Sequence, residues 1–218
     1  MNYRGFESLK DVIELFIQLI VPSIGQTHLD FGCGNGLGTL IQTRLCPDSL
    51  IIGYDLEKSN IDYAKKRLNY LNNLRHNINT FGKSLGWEIN CKQYSVEFTD
   101  LEKRVKELFP FCSATANFVF HENPATLRYI YDFLNKNGKI CILDYNMKGI
   151  SRRDFCKRFS LDNERRTIQK EGFETAYKKH TSLNLDDCAQ TGVNAGFKTD
   201  VAKDLGKYFV WIGKKQAI

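Results

Sequence analysis

The sequence predicts an α/β fold: a doubly wound, mostly parallel sheet of seven strands with an antiparallel last strand. Three observations predict it. A glycine-rich stretch, Leu29-Asp30-Phe31-Gly32-Cys33-Gly34-Asn35-Gly36, closes one apolar run, and a second apolar run, Leu50–Tyr54, ends against an acid, Asp55. Apolar strand-like runs then alternate with segments of helical period, giving three successive strand-helix-strand crossings and hence parallel strands. At the tail, Gly196-Phe197 opens one strand and 207–213 forms another. The connection between them is too short for a crossover, so they must pair antiparallel.

Along the chain, residues 8–20 read as a helix, with Leu9, Val12, Ile13, Phe16, Ile17 and Ile20 on one face and Ser8 with Asp11 as a capping pair. Strand one is Thr27–Phe31, and the glycine loop feeds a short helix. Strand two is Leu50–Tyr54. The helix after Ser59 carries Ile61, Ala64, Leu68 and Leu71 on its apolar side. Residues 72–86, rich in Asn and Gly, are expected to be a long connection, with or without a helical piece, followed by a weak strand over 87–94. Residues 101–108 place charges at helical spacing, and 112–116 is the fourth strand. Asn123-Pro124 opens a helix, since proline suits the first helical position. Leu127, Ile130, Tyr131 and Leu134 line that helix, and Asn137-Gly138 is expected to stop it. The fifth strand is 139–144.

A chain of 218 residues, 42 % of them hydrophobic, fits one domain over 1–218 with an elaboration. No apolar run is long enough to span a bilayer, and the short run 15–21 follows acidic rather than basic residues, unlike a secretory signal. Seven cysteines without a C-x-x-C pair read as thiols of a reducing compartment, the cytoplasm, and the histidines stand apart from them, so no metal is expected. The net charge of +6 is concentrated. Lys148, Arg152, Arg153, Lys157, Arg158, Arg165, Arg166, Lys170, Lys178 and Lys179 face only five acids in the same segment, Asp154, Asp162, Glu164, Glu171 and Glu174. Such a segment is either a solvated helical face or a surface that attracts anions.

A glycine loop after one strand and an acid at the tip of the next is how a parallel sheet holds a nucleoside. Glycines let the backbone approach the ligand, and an acceptor-only carboxylate suits two ribose hydroxyls. The loop is not a dinucleotide fingerprint, whose third glycine is here Leu37. With Asp30 at its head it reads D-x-G-x-G-x-G, which resembles motif I of the class I S-adenosylmethionine-dependent methyltransferases, of the small-molecule, type 11-like kind. The resemblance covers roughly 25–145 and 183–215. Residues 111–121 are similar to the family's pattern around strand four, 134–139 to the turn before strand five, and Ala195-Gly196-Phe197 with Gly213-Lys214-Lys215 to its ending. Cys112 stands where that pattern has aspartate, and Lys136-Asn137 where it has proline and glycine.

The resemblance implies a Rossmann-like methyltransferase fold and S-adenosylmethionine as cofactor. It implies that Asp30, Gly32, Cys33, Gly34 and Gly36 wrap the methionine part, with Asp30 helping to place its ammonium. Asp55 then meets the ribose, Leu56 beside it joins the cofactor-binding set, and Asn117 faces the cofactor from strand four. The acid that usually meets the adenine after strand three is not obvious; Ser95 or Glu97 can serve, and so can Asp100. Residues 146–182 fall where the family commonly carries a helical lid over the acceptor, with Phe155, Phe159, Phe173 and Tyr177 as its apolar inner face. The expected acceptor is a small molecule, aromatic or anionic. The alternatives are an RNA or protein methyltransferase and a non-catalytic S-adenosylmethionine-binding module.

Methyl transfer demands alignment of donor and acceptor, and a hydroxyl or amine acceptor can also require a base. His121, after the fourth strand's carboxyl end, is the first candidate for a base or else a polar residue at the approach to a helix; Glu122, Tyr145 and His180 are weaker choices. Asp144 either points to the acceptor or caps the next turn. His28, Trp87 and Trp211 read as structural, and Cys33 as a small filler. The acceptor and the oligomeric state are not legible in the sequence.

Overall fold

The computed structural model describes residues 26–46, 48–84, 95–158, 169, 171–206 and 208–216. The helix expected over 8–20, the strand expected over 87–94, Trp87, Phe159, Arg165, Arg166 and Lys170 lie outside them.

The elements run β1 (Thr27–Phe31), α1 (Leu37–Leu45), β2 (Leu50–Tyr54), α2 (Lys58–Ser84), β3 (Val96–Thr99), α3 (Glu102–Leu108), β4 (Phe111–Asn117), α4 (Thr126–Phe133), β5 (Leu134–Tyr145), α5 (Arg152–Arg158), α6 (Phe173–Thr181), α7 (Leu185–Asn194), β6 (Phe197–Asp204) and β7 (Tyr208–Lys215). The seven strands form one sheet in the order β3-β2-β1-β4-β5-β7-β6. β2 pairs parallel with β1 and β3. β7 runs antiparallel to both β5 and β6. This is the doubly wound, mostly parallel sheet with an antiparallel last strand that the crossings predict.

Contacts divide the chain into two compact units: the first holds 1–115 and 133–138, the second 116–132 and 139–218. In the first unit, Leu40 of α1, Ile61 and Ala64 of α2 and Phe98 of β3 form a buried cluster, with Cys33 and Leu68 against it. Each such side chain, fully buried, contributes about 1.5–3 kcal/mol. In the second unit, β7 is buried from Tyr208 through Gly213, the signature of a strand covered on both faces. Trp211 is fully buried, and its indole N–H donates to Thr199 Oγ1 at 3.1 Å. α7 begins with a reciprocal cap: Asn184 Oδ1 accepts the Asp187 N–H, and the Asp187 carboxylate accepts the Asn184 N–H, each at 3.0 Å.

The third described strand is Val96–Thr99, with Phe98 and Thr99 buried. Two expectations are corrected. The expected connection over 72–86 is instead mostly helix, because α2 continues to Ser84. Leu71, Asn72 and Arg75 remain half-buried there, and that packing outweighs the weak helix propensity of the asparagines. β5 starts at Leu134 rather than 139. Asn137 does take the left-handed conformation expected of a helix stop (φ 69°), but it does so inside the irregular start of the strand.

Candidate active site

The glycine loop is shaped by hydrogen bonds to the strand beside it. The N–H groups of Gly32 and Cys33 both donate to the Tyr54 carbonyl, at 2.8 and 3.0 Å. Gly32, Gly34 and Gly36 all have positive φ (71°, 52° and 77°), which L side chains disfavour. Gly36 and Gly34 use their missing Cβ differently. A Cβ on Gly36 would lie 2.7 Å from both Ala64 Cβ and the Phe98 ring, so that glycine lets α2 and β3 pack under the loop. A Cβ on Gly34 would meet nothing within 4 Å, so that glycine borders open space.

Asp55 ties loop to strand tip. Its Oδ2 accepts the Gly34 N–H at 2.8 Å, and its Oδ1 accepts the Glu57 N–H at 2.9 Å and Asn60 Nδ2 at 3.2 Å. A carboxylate offers about four lone-pair sites, so one remains for a ligand hydroxyl while the three protein donors stay. Leu56 beside it is 79 % exposed, an apolar side chain held in solvent at the strand tip. On the loop's outer side, Arg67 of α2 donates to Asn35 O and Oδ1 at 3.1 and 2.9 Å.

Asp30 differs from expectation. It is buried beneath the loop, where its two oxygens accept the hydroxyls of Thr39 at 2.6 Å and Thr115 at 2.7 Å. Burial raises its pKa, partly offset by those hydroxyl bonds. Its oxygens thus fasten β1 to α1 and β4 and shape the loop from below. Neither threonine carries a motif signal; only the spacing of Thr39 from Asp30 across the loop hints at it. Cys33 is a filler, as expected: burial, then the charges of Asp30 and Asp55, push its thiol far up, so it stays protonated. His28 is structural: it is buried, its Nδ1 pairs with Ser113 Oγ, and burial lowers its pKa to about 4.

Ser95 is not brought to this cluster. It precedes β3, and its carbonyl accepts the Ile51 N–H at the amino end of the strand pair. The strand expected over 87–94 would put Ser95 after it, whereas Ser95 precedes the described β3. Glu97 is engaged by Arg104, at 2.6 and 2.9 Å, and that bond lowers its pKa. Asp100 is the acid that follows β3, one residue beyond Thr99, whose carbonyl accepts the Asp55 N–H.

In the second unit, Asn117 ends β4, and its Oδ1 is buried with no hydrogen-bond partner among the described residues. An orphaned buried acceptor is open to a water or to a ligand donor. Phe118 follows with φ 58°, a strained conformation for a residue with a side chain, held by its N–H on the Leu143 carbonyl at 2.8 Å. His121 is buried. Its Nδ1 lies 2.7 Å from Asp144 Oδ1, and its backbone N–H donates to Asp144 Oδ2 at 3.0 Å. His180 of α6 lies against the His121 ring, centroids 4.4 Å apart, and burial lowers its pKa to about 3. Tyr145 touches both histidine rings edge-on.

The expected inner face of 146–182 is partly spent on itself. Phe155, Phe173 and Tyr177 pack against one another around Met147. Arg152 pairs with Glu174 at 2.8 Å, and Lys179 with Glu122 and Glu171 at 3.2 and 3.3 Å, so part of the basic charge is already answered. Among the described residues, no cluster of His, Cys, Asp and Glu is arranged to hold a metal ion. Nor is any described helix long and apolar enough to cross a membrane.

Comparison with known proteins fits this geometry. Residues 23–187 match the family model described as a methyltransferase domain. No curated protein matches the chain. Among solved structures, a SAM-dependent methyltransferase from Aquifex aeolicus superposes with a TM-score of 0.63 at 14 % identity, covering 97 % of this chain and 93 % of the other. One from Methanosarcina mazei gives 0.60 at 14 %, covering 93 % and 98 %. Magnesium protoporphyrin IX methyltransferase from Synechocystis PCC 6803, with bound SAH, gives 0.56 at 11 %, covering 96 % and 82 %. At such identities the likeness is one of fold, while the family match spans most of the chain. The chain belongs to the methyltransferase-domain family and has the class I fold of the S-adenosylmethionine-dependent methyltransferases.

Proposed function

We propose that this methyltransferase carries the methyl group of S-adenosylmethionine to a small molecule with an aromatic or anionic body. The observation that carries the reading is Gly34: its left-handed backbone borders open space, and its N–H is held by Asp55. That is a cradle a side chain would fill. The residues present fit the cofactor. The glycines border its methionine part, Asp55 accepts a ribose hydroxyl, and Leu56 and Asp100 would offer an apolar surface and an acceptor to the adenine. Asp30 acts by holding the loop rather than by touching the ammonium. In the second unit, Asn117 Oδ1, without a partner among the described residues, is a separate acceptor for a ligand N–H. The cofactor supplies an activated methyl group, so the chain's own work is alignment and proton handling.

His121 is the proposed base. It follows β4 on the carboxyl side, where open α/β sheets take their ligands. Residues 146–182 serve as the lid, α6 bringing His180 over His121. The described cysteines are free thiols, which supports a reducing, cytoplasmic setting.

The test is incubation with labelled S-adenosylmethionine and a small-molecule metabolite extract. Label in an extractable product supports the reading. Cofactor binding without turnover would point to a non-catalytic module. Label in RNA, with binding that weakens steeply as salt rises, would point to a nucleic-acid acceptor.

A further inference from the structure

The geometry points to an O-methylation site: we propose that Asp144 and His121 form a proton-accepting dyad for an un-ionised phenolic hydroxyl. The inference rests on the methyl-transfer reading above and names its acceptor class.

The argument starts from Asp144. It is fully buried at the end of β5, and its carboxylate accepts three N–H groups: the backbone of His121 at 3.0 Å, the backbone of Tyr145 at 2.7 Å, and His121 Nδ1 at 2.7 Å. An ionised carboxylate is acceptor-only, so a 2.7 Å contact with it requires the proton on Nδ1. That fixes the tautomer and leaves the lone pair on Nε2. Nε2 is buried and has no hydrogen-bond partner among the described residues; the Glu122 carboxylate is 3.9 Å away, beyond bonding distance. A bare imidazole nitrogen, oriented by a carboxylate behind it, is the arrangement of a general base. The structural His28 also has an unpartnered Nε2 among the described residues; what sets His121 apart is the Asp144 carboxylate behind its Nδ1.

The surroundings say what the base serves. Phe118, held in its strained conformation, packs on Tyr145 at 4.9 Å and Tyr208 at 5.8 Å, and Tyr145 lies 5.4 Å from the His121 ring. Phe118 and Tyr145 are only half-buried. They offer flat apolar surface beside the base, which suits an aromatic body. Aromatic hydroxyls, near the acidity of tyrosine at about 10, keep their proton at neutral pH. A thiol loses its proton more easily and would gain little from such a base. The charged and titratable groups facing His121 are Asp144, His180 and Tyr145, with Glu122 at the rim bonded onward to Lys179.

The step balances. The phenolic proton passes to His121 Nε2 as the oxygen forms its bond to the methyl carbon. The carbon–sulfur bond breaks, and its electron pair returns to sulfur, which becomes a neutral thioether. The positive charge moves from the sulfonium to the imidazolium, beside the Asp144 carboxylate. Asp144 touches no reacting atom and is a positioning residue.

The test compares 4-methylphenol, 4-nitrophenol and thiophenol as acceptors for the full-length protein and its His121→Gln and Asp144→Asn variants. The pH is chosen so that 4-nitrophenol and thiophenol are ionised and 4-methylphenol is not. Loss of the base should slow 4-methylphenol by about 10²–10⁴-fold but slow the ionised acceptors far less, with calorimetric affinity for S-adenosylmethionine unchanged. Because Asp144 is buried, its variant is backed by nitrogen NMR of wild-type His121, which should show the proton on Nδ1 and none on Nε2. A proton on Nε2 overturns the dyad, and so does cofactor binding with no phenol methylated or with equal losses for all three acceptors. Failure of the wild type to bind S-adenosylmethionine would overturn the methyl-transfer reading instead.

Discussion

Asp55 Oδ2 accepts the Gly34 N–H at 2.8 Å, so the acid at the tip of β2, proposed to meet the ribose, also holds the glycine loop. The two roles separate by experiment. Asp55→Ala removes three hydrogen bonds within the protein and the acceptor for the ribose. Charge-assisted bonds contribute about 1.5–3 kcal/mol, so affinity for S-adenosylmethionine should fall roughly tenfold or more, with a modest drop in thermal midpoint. If the midpoint drops while affinity stays within twofold, Asp55 serves only the loop.

The two loop glycines should fail differently. Gly36→Ala drives a methyl group to 2.7 Å from Ala64 and Phe98 at a left-handed position; overpacking of that kind costs about 1–3 kcal/mol. The expected outcome is a lower denaturation midpoint. Gly34→Ala meets open space, so its stability cost is only that of the positive φ, about 1–2 kcal/mol. Equal stability losses with equal effects on binding would show that both positions are merely structural.

His28 and His180 make the fold acid-sensitive. Both are held below the usual histidine pKa of 6.5 by burial, to about 4 and about 3. A folded-state pKa below the unfolded one means that the unfolded chain binds the extra protons. Stability is therefore full above about 6.5 and declines as pH falls toward those values. Asp30, with a raised pKa, binds its proton more readily when folded and opposes the decline at the acid end. His180→Phe keeps a ring against His121 without a titrating group and should flatten the loss between pH 6.5 and 3 in thermal melts. An unchanged pH slope in that variant would remove His180 from the explanation.

Arg152 is a weak candidate for anion capture, because Glu174 already pairs with it at 2.8 Å and its guanidinium lies over the Tyr177 ring. Arg152→Gln should loosen α5 against α6, reading out as faster proteolysis, and should leave the Michaelis constant of an anionic acceptor within about twofold, since exposed pairs contribute little. A large, salt-sensitive rise in that constant would restore the anion-attracting role.

Much of the site is legible in the sequence because its signals are local. Positive φ demands glycine, so Gly32, Gly34 and Gly36 announce the loop, and Asp55 stands out as a charge after five strand residues. His121 is legible from its place after β4. What escapes is contact between distant segments. Thr39 and Thr115 turn Asp30 inward, and nothing in their own neighbourhoods announces it. Asp144 reads equally as pointing to the acceptor or capping a turn, and its bond to His121 emerges only once β4 and β5 are placed. Ser95 follows the strand expected over 87–94 but precedes the described β3, Val96–Thr99, and only that placement separates it from Asp100, the one of the three choices that follows the strand.

Calorimetric titration of S-adenosylmethionine, its demethylated product and NAD into the wild type and Gly34→Val tests the cofactor site most directly. Both sulfur nucleosides should bind the wild type and NAD should not, while the valine fills the space beside the loop and abolishes binding in a protein that still melts cooperatively. Binding of NAD instead, or undiminished binding of S-adenosylmethionine to Gly34→Val, would contradict it.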